Sequence, residues 1–309
     1  MAGEQLKIAL ICQDAEALEP WMLRLAERIC SASEFDLSGL IVRPGQAPLK
    51  PRGAFGPWWT LETKLAARAK PAAAPEFEAK RAQLPTFIVT DTEALRSMAL
   101  DIVIDLTSEY GEGLDPELTR FGVWYLDFLR AHVGRDSIRA ILSRERLMDI
   151  NLCRQTANAE APETVATATL NTKFIAAMNH LYLCEKSVTL VLRELKRAHL
   201  NKAVKALGSA DTNTLKPLSP IASLRYGLHL VRDVIARIGH KIGAKLGIRP
   251  GMFYLQTVDG KLTEFDPAHM TPQPVEGNTY YADPFLWIED GETYCFFEIY
   301  DYQTLHGHL

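Results

Sequence analysis

The residues of this chain whose types and spacing could do chemistry lie close to its carboxyl terminus. Tyr280-Tyr281-Ala282-Asp283-Pro284-Phe285-Leu286-Trp287 and Asp290-Gly291-Glu292-Thr293-Tyr294-Cys295-Phe296-Phe297-Glu298 predict a strand, a tight turn and a second strand. An aspartate followed by proline at a strand's start holds its carboxylate at an element end. Asp290-Gly291 is a dipeptide that closes two-residue hairpins. Asp283 and Glu298 are thus carboxylates that the local pattern places, with Phe285 and Trp287 beside them.

A second candidate is cationic. Between Glu185 and Pro250, Lys and Arg outnumber Asp and Glu, and Arg225, Arg232, Arg237, Lys241 and Lys245 share one face of a helix. Such a row could hold an anionic membrane surface, over residues 221–249, or a phosphorylated sugar carrier. A domain-bridging helix with a solvated cationic face would have the same composition. Gly239, Gly243 and Gly247, spaced by four, favour close helix packing over catalysis.

These residues need a scaffold, and the chain supplies one. At 309 residues and 47% hydrophobic content it is long enough for two domains, each with its own core. A net charge of -4 provides no field that would favour nucleic acid. Cys12, Cys30, Cys153, Cys184 and Cys295 are odd in number, widely spaced and set in apolar runs, which predicts reduced core thiols rather than disulfides or a metal site. With no signal-like leader and no apolar run of membrane-spanning length, a cytoplasmic location is expected.

Leu6–Cys12 is a near-continuous apolar run of strand length, as expected for a strand covered on both faces. Leu18, Trp21, Met22, Leu25 and Ile29 share a helical face, and Phe35–Val42 reads as a second strand, so the chain opens with a βαβ unit. A proline-rich excursion with Trp58-Trp59 covers residues 43–80. Strands at 86–89, 101–106 and 121–126 and a short helix at 93–98 complete an open α/β sheet over about the first 130 residues. Residues 135–207 are less regular, with a strand at 165–170 and a long helix at 173–198. Asn213–Pro220 reads as a linker. Ile221, Leu224, Leu228, Val231, Ile235, Ile238, Ile242 and Leu246 then predict one long amphipathic helix, ended by Arg249-Pro250-Gly251. The expected domains are 1–207, a connector 208–250, and an all-β segment 251–309.

The loop after the first strand, Gln13-Asp14-Ala15-Glu16-Ala17, lacks the glycine fingerprint that lets backbone amides approach a pyrophosphate. No nicotinamide or other cofactor is expected. Gly111-Glu112-Gly113 reads as an ordinary turn.

In order, the runs at 6–11, 37–42, 101–106 and 121–126 resemble the amino-terminal sheet of the formyltransferase-like fold, the family of methionyl-tRNA formyltransferase. That family uses an Asn-x-His motif at the end of the strand corresponding to Gly122-Val123-Trp124-Tyr125-Leu126-Asp127. Here Tyr125 and Asp127 stand where the asparagine and histidine belong, and the spacing of the nearby His132 does not replace them. The resemblance thus implies the fold together with a degenerate catalytic site.

Ala282-Asp283-Pro284-Phe285, Phe296-Phe297-Glu298 and Gly307 resemble the opening blade of five-bladed propellers of the arabinanase and xylosidase type. They resemble still more closely the propeller of proteins similar to glucosamine inositolphosphorylceramide transferase. The resemblance implies a saccharide or sugar-phosphate ligand, with Asp283 as general base and Glu298, Phe285 and Trp287 as substrate-binding residues. Glycoside cleavage by inversion needs a second carboxylate roughly 6.5–9.5 Å away, which a later blade would supply. A propeller typically needs about four to eight blades, so the segment after Pro250 is expected to be the start of an unfinished one, inactive alone as a hydrolase. The expected function is glycan metabolism. A glycosyltransferase or nucleotide-sugar-binding partner, and a scaffold docking through the basic helix, remain as alternatives.

Overall fold

The computed structural model describes residues 5–44, 55–66, 75–107, 114–129, 134–210, 219–245, 255–258, 270–275, 279–301, 304 and 306–308. The expected features at residues 108–113, His132, residues 213–218, Leu246, Gly247 and Arg249–Gly251 lie outside these. The chain divides into two compact units, Met1–Asp233 and Val234–Leu309.

The first unit is built on an eight-stranded sheet. Strands β1 (Leu6–Cys12), β2 (Phe35–Val42), β3 (Thr86–Ile88), β4 (Ile102–Asp105) and β5 (Val123–Leu126) run parallel. Strands β6 (Leu147–Gln155), β7 (Glu163–Asn171) and β8 (Gly208–Ser209) extend it by antiparallel pairing, giving the order β3-β2-β1-β4-β5-β6-β7-β8. The apolar runs fill the centre because a strand covered on both faces has no side that can be polar. Successive residues of β1 divide accordingly: Ile8 and Leu10 enter one core cluster, and Ala9 and Ile11 the other.

Helices supply the covering layers. Helix α1 (Pro20–Ser31) begins with a proline, whose missing N–H is harmless in a first turn, and buries Trp21, Leu25 and Ile29. Helix α6 (Ala176–Asn201) joins it over the same face through Leu183, Val188, Val191 and Leu195. Helix α4 (Thr92–Ser97) covers the other face with Leu95. The excursion contains helices α2 (Gly56–Ala66) and α3 (Pro75–Arg81), and α5 (Arg135–Ser143) follows β5.

Helix α7 (Pro220–Lys245) departs from expectation. Its regular apolar stripe faces outward, and the buried side is Ser223, Tyr226 and Leu230. The cause is a polar clamp. The Tyr226 hydroxyl accepts from Ala176 N at 2.9 Å and donates to Glu62 Oε1, and Glu62 Oε2 accepts from Ala177 N at 2.9 Å. Two amides at the start of α6 are thereby satisfied, and both side chains are buried. These directional bonds orient the helix. Burial raises the Glu62 carboxyl above its ordinary range, against the opposing pull of the Ala177, Tyr226 and Ala176 hydrogen bonds.

The second unit contains a two-stranded sheet, β9 (Gln256–Thr257) with β10 (Thr271–Pro272). It also holds an antiparallel three-stranded sheet of β11 (Thr279–Glu289), β12 (Glu292–Asp301) and β13 (His306–His308), in that order. Cys12, Cys153 and Cys184 are buried, whereas Cys30 is half-buried and Cys295, expected in a core, is exposed. Cys295 lies on a strand with no described layer over it. Among the described residues, no helix is long and apolar enough to cross a membrane.

Candidate functional site

In an open parallel sheet, ligands bind outside the carboxyl ends of the strands, where the strand order reverses. Here that point lies between β1 and β4. Arg43, just beyond β2, donates its backbone N–H to Cys12 O at the end of β1, and its Nη2 donates to Asp105 Oδ2 at the end of β4, each at 3.0 Å. Asp105 Oδ1 also accepts from Thr107 N and Oγ1, at 2.9 and 2.6 Å. The guanidinium and carboxylate are 6% and 0% exposed, so this is a buried ion pair. Arg43 Nε and Nη1 have no hydrogen-bond partner among the described residues. Cys12 is inert beside them: burial, then the charges of Asp14 and Asp105, push its thiol up to about 12.

Past β5, Asp127 accepts from Asn151 N at 3.0 Å and from Asn151 Nδ2 at 2.7 Å, while Thr167 Oγ1 donates to Asn151 Oδ1. Both oxygens of Asp127 thus serve to join β5 to β6. Burial, followed by the Asp127 charge, pushes the Asp136 carboxyl up to about 6. Tyr125 lies in the core with Cys153 and Ala210. His180, packed edge-on against Trp59 and Phe128, is buried with its pKa lowered to about 4 by desolvation. The Cys184 sulfur lies 3.6 Å from its Nε2.

The hairpin of β11 and β12 has a different construction. Asp290 and Gly291 both have positive φ, at 53° and 84°, between the paired residues Glu289 and Glu292. Ala282 pairs with Glu298, but the next pair is Phe285 with Phe296, so Asp283 and Pro284 together oppose Phe297. This is a bulge. Proline fits there because it has no N–H to give to a ladder, and Asp283 takes the left-handed conformation with φ 50°. Alternation places Tyr280, Phe285, Trp287, Glu289, Glu292, Tyr294, Phe296, Glu298 and Tyr300 on one face, with the Tyr280 and Tyr300 rings tilted by 30° at 5.1 Å. Phe285, Trp287, Tyr294 and Phe296 are about half exposed or more. A Cβ on Gly307 of β13 would collide with the Glu298 carboxyl, which therefore lies over that glycine.

No family model matches the chain, and no curated protein does. Solved structures do. A sugar 3N-formyl transferase, WlaRD, described with dTDP and 5-N-formyl-THF, shares 13% identity over 69% of each chain with a TM-score of 0.41. A formyltetrahydrofolate deformylase from Pseudomonas syringae pv. tomato shares 14% over 65% of this chain and 63% of its own, with a TM-score of 0.41. HypX from Aquifex aeolicus shares 11% over 74% of this chain, with a TM-score of 0.42, and the aligned part is 34% of HypX. The likeness is remote, and the α/β description above stands on its own strand order.

The four predicted site residues fall on one hairpin. Glu298, Phe285 and Trp287 share a face, and Asp283 sits in the adjoining bulge. Sequence reasoning missed Arg43, Asp105, Asn151, Asp136 and Glu62. Asp105 carried a usable signal: a carboxylate closing the run Ile102-Val103-Ile104 is buried by its neighbours and requires a cation. Among the described residues, no group of three His, Cys, Asp or Glu could hold a metal ion.

Proposed function

We propose that this is a saccharide-binding protein of glycan metabolism, with the β11–β12 hairpin as its sugar-contacting surface. A single observation carries the reading: Glu298 shares a face with the exposed rings of Phe285, Trp287, Tyr294 and Phe296, a face that also holds Tyr280, Tyr300, Glu289 and Glu292, beside the Asp283 bulge. Ligand sites combine aromatic area with a few placed polar groups. An aromatic face covers the apolar side of a sugar ring, and a carboxylate accepts hydrogen bonds from its hydroxyls. The three-stranded antiparallel meander and the glycine under Glu298 support the reading of this sheet as a propeller blade. Asp283 is the residue assigned to general-base work, completed by a carboxylate from another blade.

The α/β domain on this reading does not transfer formyl groups. Tyr125 is buried, and Asp127 is occupied by Asn151, so neither offers a free amide or base at the end of β5. A second reading gives that domain a nucleotide-sugar ligand. It is favoured by two Arg43 nitrogens, Nε and Nη1, that have no partner among the described residues at the point where the strand order reverses.

Titration of the full chain with pentose and hexose oligosaccharides, followed by tryptophan fluorescence, tests the first reading. Binding should weaken about tenfold, roughly 1.4 kcal/mol, in Trp287→Ala and in Glu298→Gln. A panel that produces no binding, or binding indifferent to both variants, sinks it. Formyl transfer from a reduced formyl-folate to an amino sugar would overturn the degenerate assignment. A thermal shift with nucleotide sugars that is lost in Arg43→Lys would support the second reading.

A further inference from the structure

Among the described residues, helix α7 leaves its most regular apolar stripe uncovered. Within the first unit, Ile221, Leu224, Leu228 and Val231 are 71%, 66%, 63% and 50% exposed, while Tyr226 on the opposite side is held by Glu62 and Ala176. Their spacings are three, four and three, and the sequence continues them at Ile235, Ile238 and Ile242. Apolar residues alternating at three and four recur every 3.5 residues, the a and d positions of a heptad repeat. Seven in succession span roughly three heptads, which is the signature of a coiled-coil seam. A helix that packs only against its own domain uses a broader stripe with a period of 3.6.

We propose that this stripe pairs with the same stripe of a second copy of the chain, as a parallel two-stranded coiled coil. The flanking charges select the partner and its direction. With Ile221 at a, Arg225 and Arg232 fall at e, and Pro220, Gly227 and Val234 at g. In a parallel pair each e residue lies beside the preceding g residue of the other helix. Arg225 then meets Pro220, and Arg232 meets Gly227, so neither arginine faces a like charge. In an antiparallel pair the e rows face each other, and Arg225 and Arg232 repel. Parallel in-register pairing is also isologous, closing on a two-fold axis with no surface left over.

Anionic lipid is the competing occupant for the basic flank. Arg232, Arg144 and Arg225 all act, after desolvation, to lower the pKa of His229, so the region carries a positive field. Two features favour a helix over a bilayer: the seam is narrow, and it contains no tryptophan or phenylalanine to anchor in headgroups.

Sedimentation equilibrium of the full chain tests the pairing. The mass expected is twice the 34.5 kDa of one chain. Leu228→Glu alters an exposed side chain, so helicity should be unchanged while the dimer dissociates with a Kd raised about a hundredfold. In a Cys295→Ser background, Leu228→Cys should form an interchain disulfide on mild oxidation, because equivalent a positions face each other only in the parallel register. A monomeric wild type, or a dimer indifferent to Leu228→Glu, overturns the proposal, and failure to cross-link overturns its parallel direction. A chain that stays monomeric in solution yet sediments with phosphatidylserine vesicles assigns the stripe to lipid and overturns it as well.

Discussion

Leu10, in β1, has no exposed surface; Leu286, a residue of the same size within β11, is 65% exposed. Both sit in apolar runs that the sequence identifies as strand; Leu10 is paired on both sides, with Leu40 and Ile104, and Leu286 on one, with Cys295. The difference lies in what covers them. Strand β1 has helices on each side, so its side chains are fixed by packing. The described residues of the hairpin are held by the backbone ladder, the turn and cross-strand aromatic pairs, which leaves side chains free to meet a ligand. The α/β unit spends its polar groups internally, in Arg43 with Asp105 and Glu62 with Tyr226, and the hairpin leaves Glu298 among exposed rings.

The comparison breaks first if the internal pairs of the α/β unit prove dispensable. Replacing Arg43 with Met strands Asp105 as a buried, uncompensated carboxylate, for an expected loss of about 3–5 kcal/mol. Urea unfolding of the first unit measures it. The double variant Arg43→Met with Asp105→Asn should recover more than half. Equal losses in the single and double variants would mean that the charge is solvated and the unit less tightly closed than described.

Matched truncations sharpen it. Leu10→Ala should destabilise the first unit by about 2–5 kcal/mol, since both transfer energy and a cavity contribute. Leu286→Ala should change stability by no more than about 0.5 kcal/mol. A large effect at Leu286 would show that another layer covers the hairpin in solution.

Titration distinguishes the units as well, because among the described residues the ionisable groups shifted by burial lie in the first. His180 folds with its pKa lowered from 6.5 to about 4, so between those values the unfolded chain binds the additional proton. Stability from this group is present above pH 6.5 and is lost as pH falls towards about 4, with a slope of at most about 1.4 kcal/mol per pH unit. Asp136 acts in the opposite sense. Its folded pKa is raised from 3.8 to about 6, so stability is present below 3.8 and lost as pH rises through about 6. The two slopes oppose each other between about pH 4 and 6. His180→Phe, which keeps a ring between Trp59 and Phe128, should therefore gain stability on acidification relative to wild type, and Asp136→Asn should lose it. Denaturant midpoints across that range read both, and parallel profiles in the two variants would refute the assignment.

How much of this was legible in advance follows the same division. The parallel strands were visible because continuous apolar runs have few other uses, and the hairpin was visible because Asp290-Gly291 and Asp283-Pro284 have narrow backbone meanings. Strand β6 was missed although Met148, Ile150 and Leu152 alternate. Asp149, Asn151 and Arg154 interrupt the run, and the register shifts between Leu152 and Cys153. The outward face of α7 was beyond reach for a different reason. Periodicity identifies which residues share a face, but which face docks was decided by one tyrosine and one glutamate, Tyr226 and Glu62, whose positions in sequence are far apart. The site divides similarly: local motifs marked Asp283 and Glu298, and nothing local marked Arg43, whose role depends on a carboxylate two strands away.

A local effect is expected at the hairpin turn, and it isolates what holds that sheet together. With φ 84° at Gly291 following φ 53° at Asp290, the turn needs two consecutive left-handed residues, and its twist matches that of the flanking strands. Nothing lies within 4 Å of a Cβ placed on Gly291, so Gly291→Ala meets no clash, and its effect reports backbone conformation alone. The expected loss is about 1 kcal/mol. Amide exchange at Glu289 and Glu292 should accelerate about fivefold, while exchange in β1 and β4 stays unchanged. If the ladder of the hairpin is its main support, saccharide binding should weaken in step with this local opening. If binding is untouched while the turn frays, the aromatic face is ordered by contacts other than the turn, and the contrast drawn between the two units would need a covering layer to explain it.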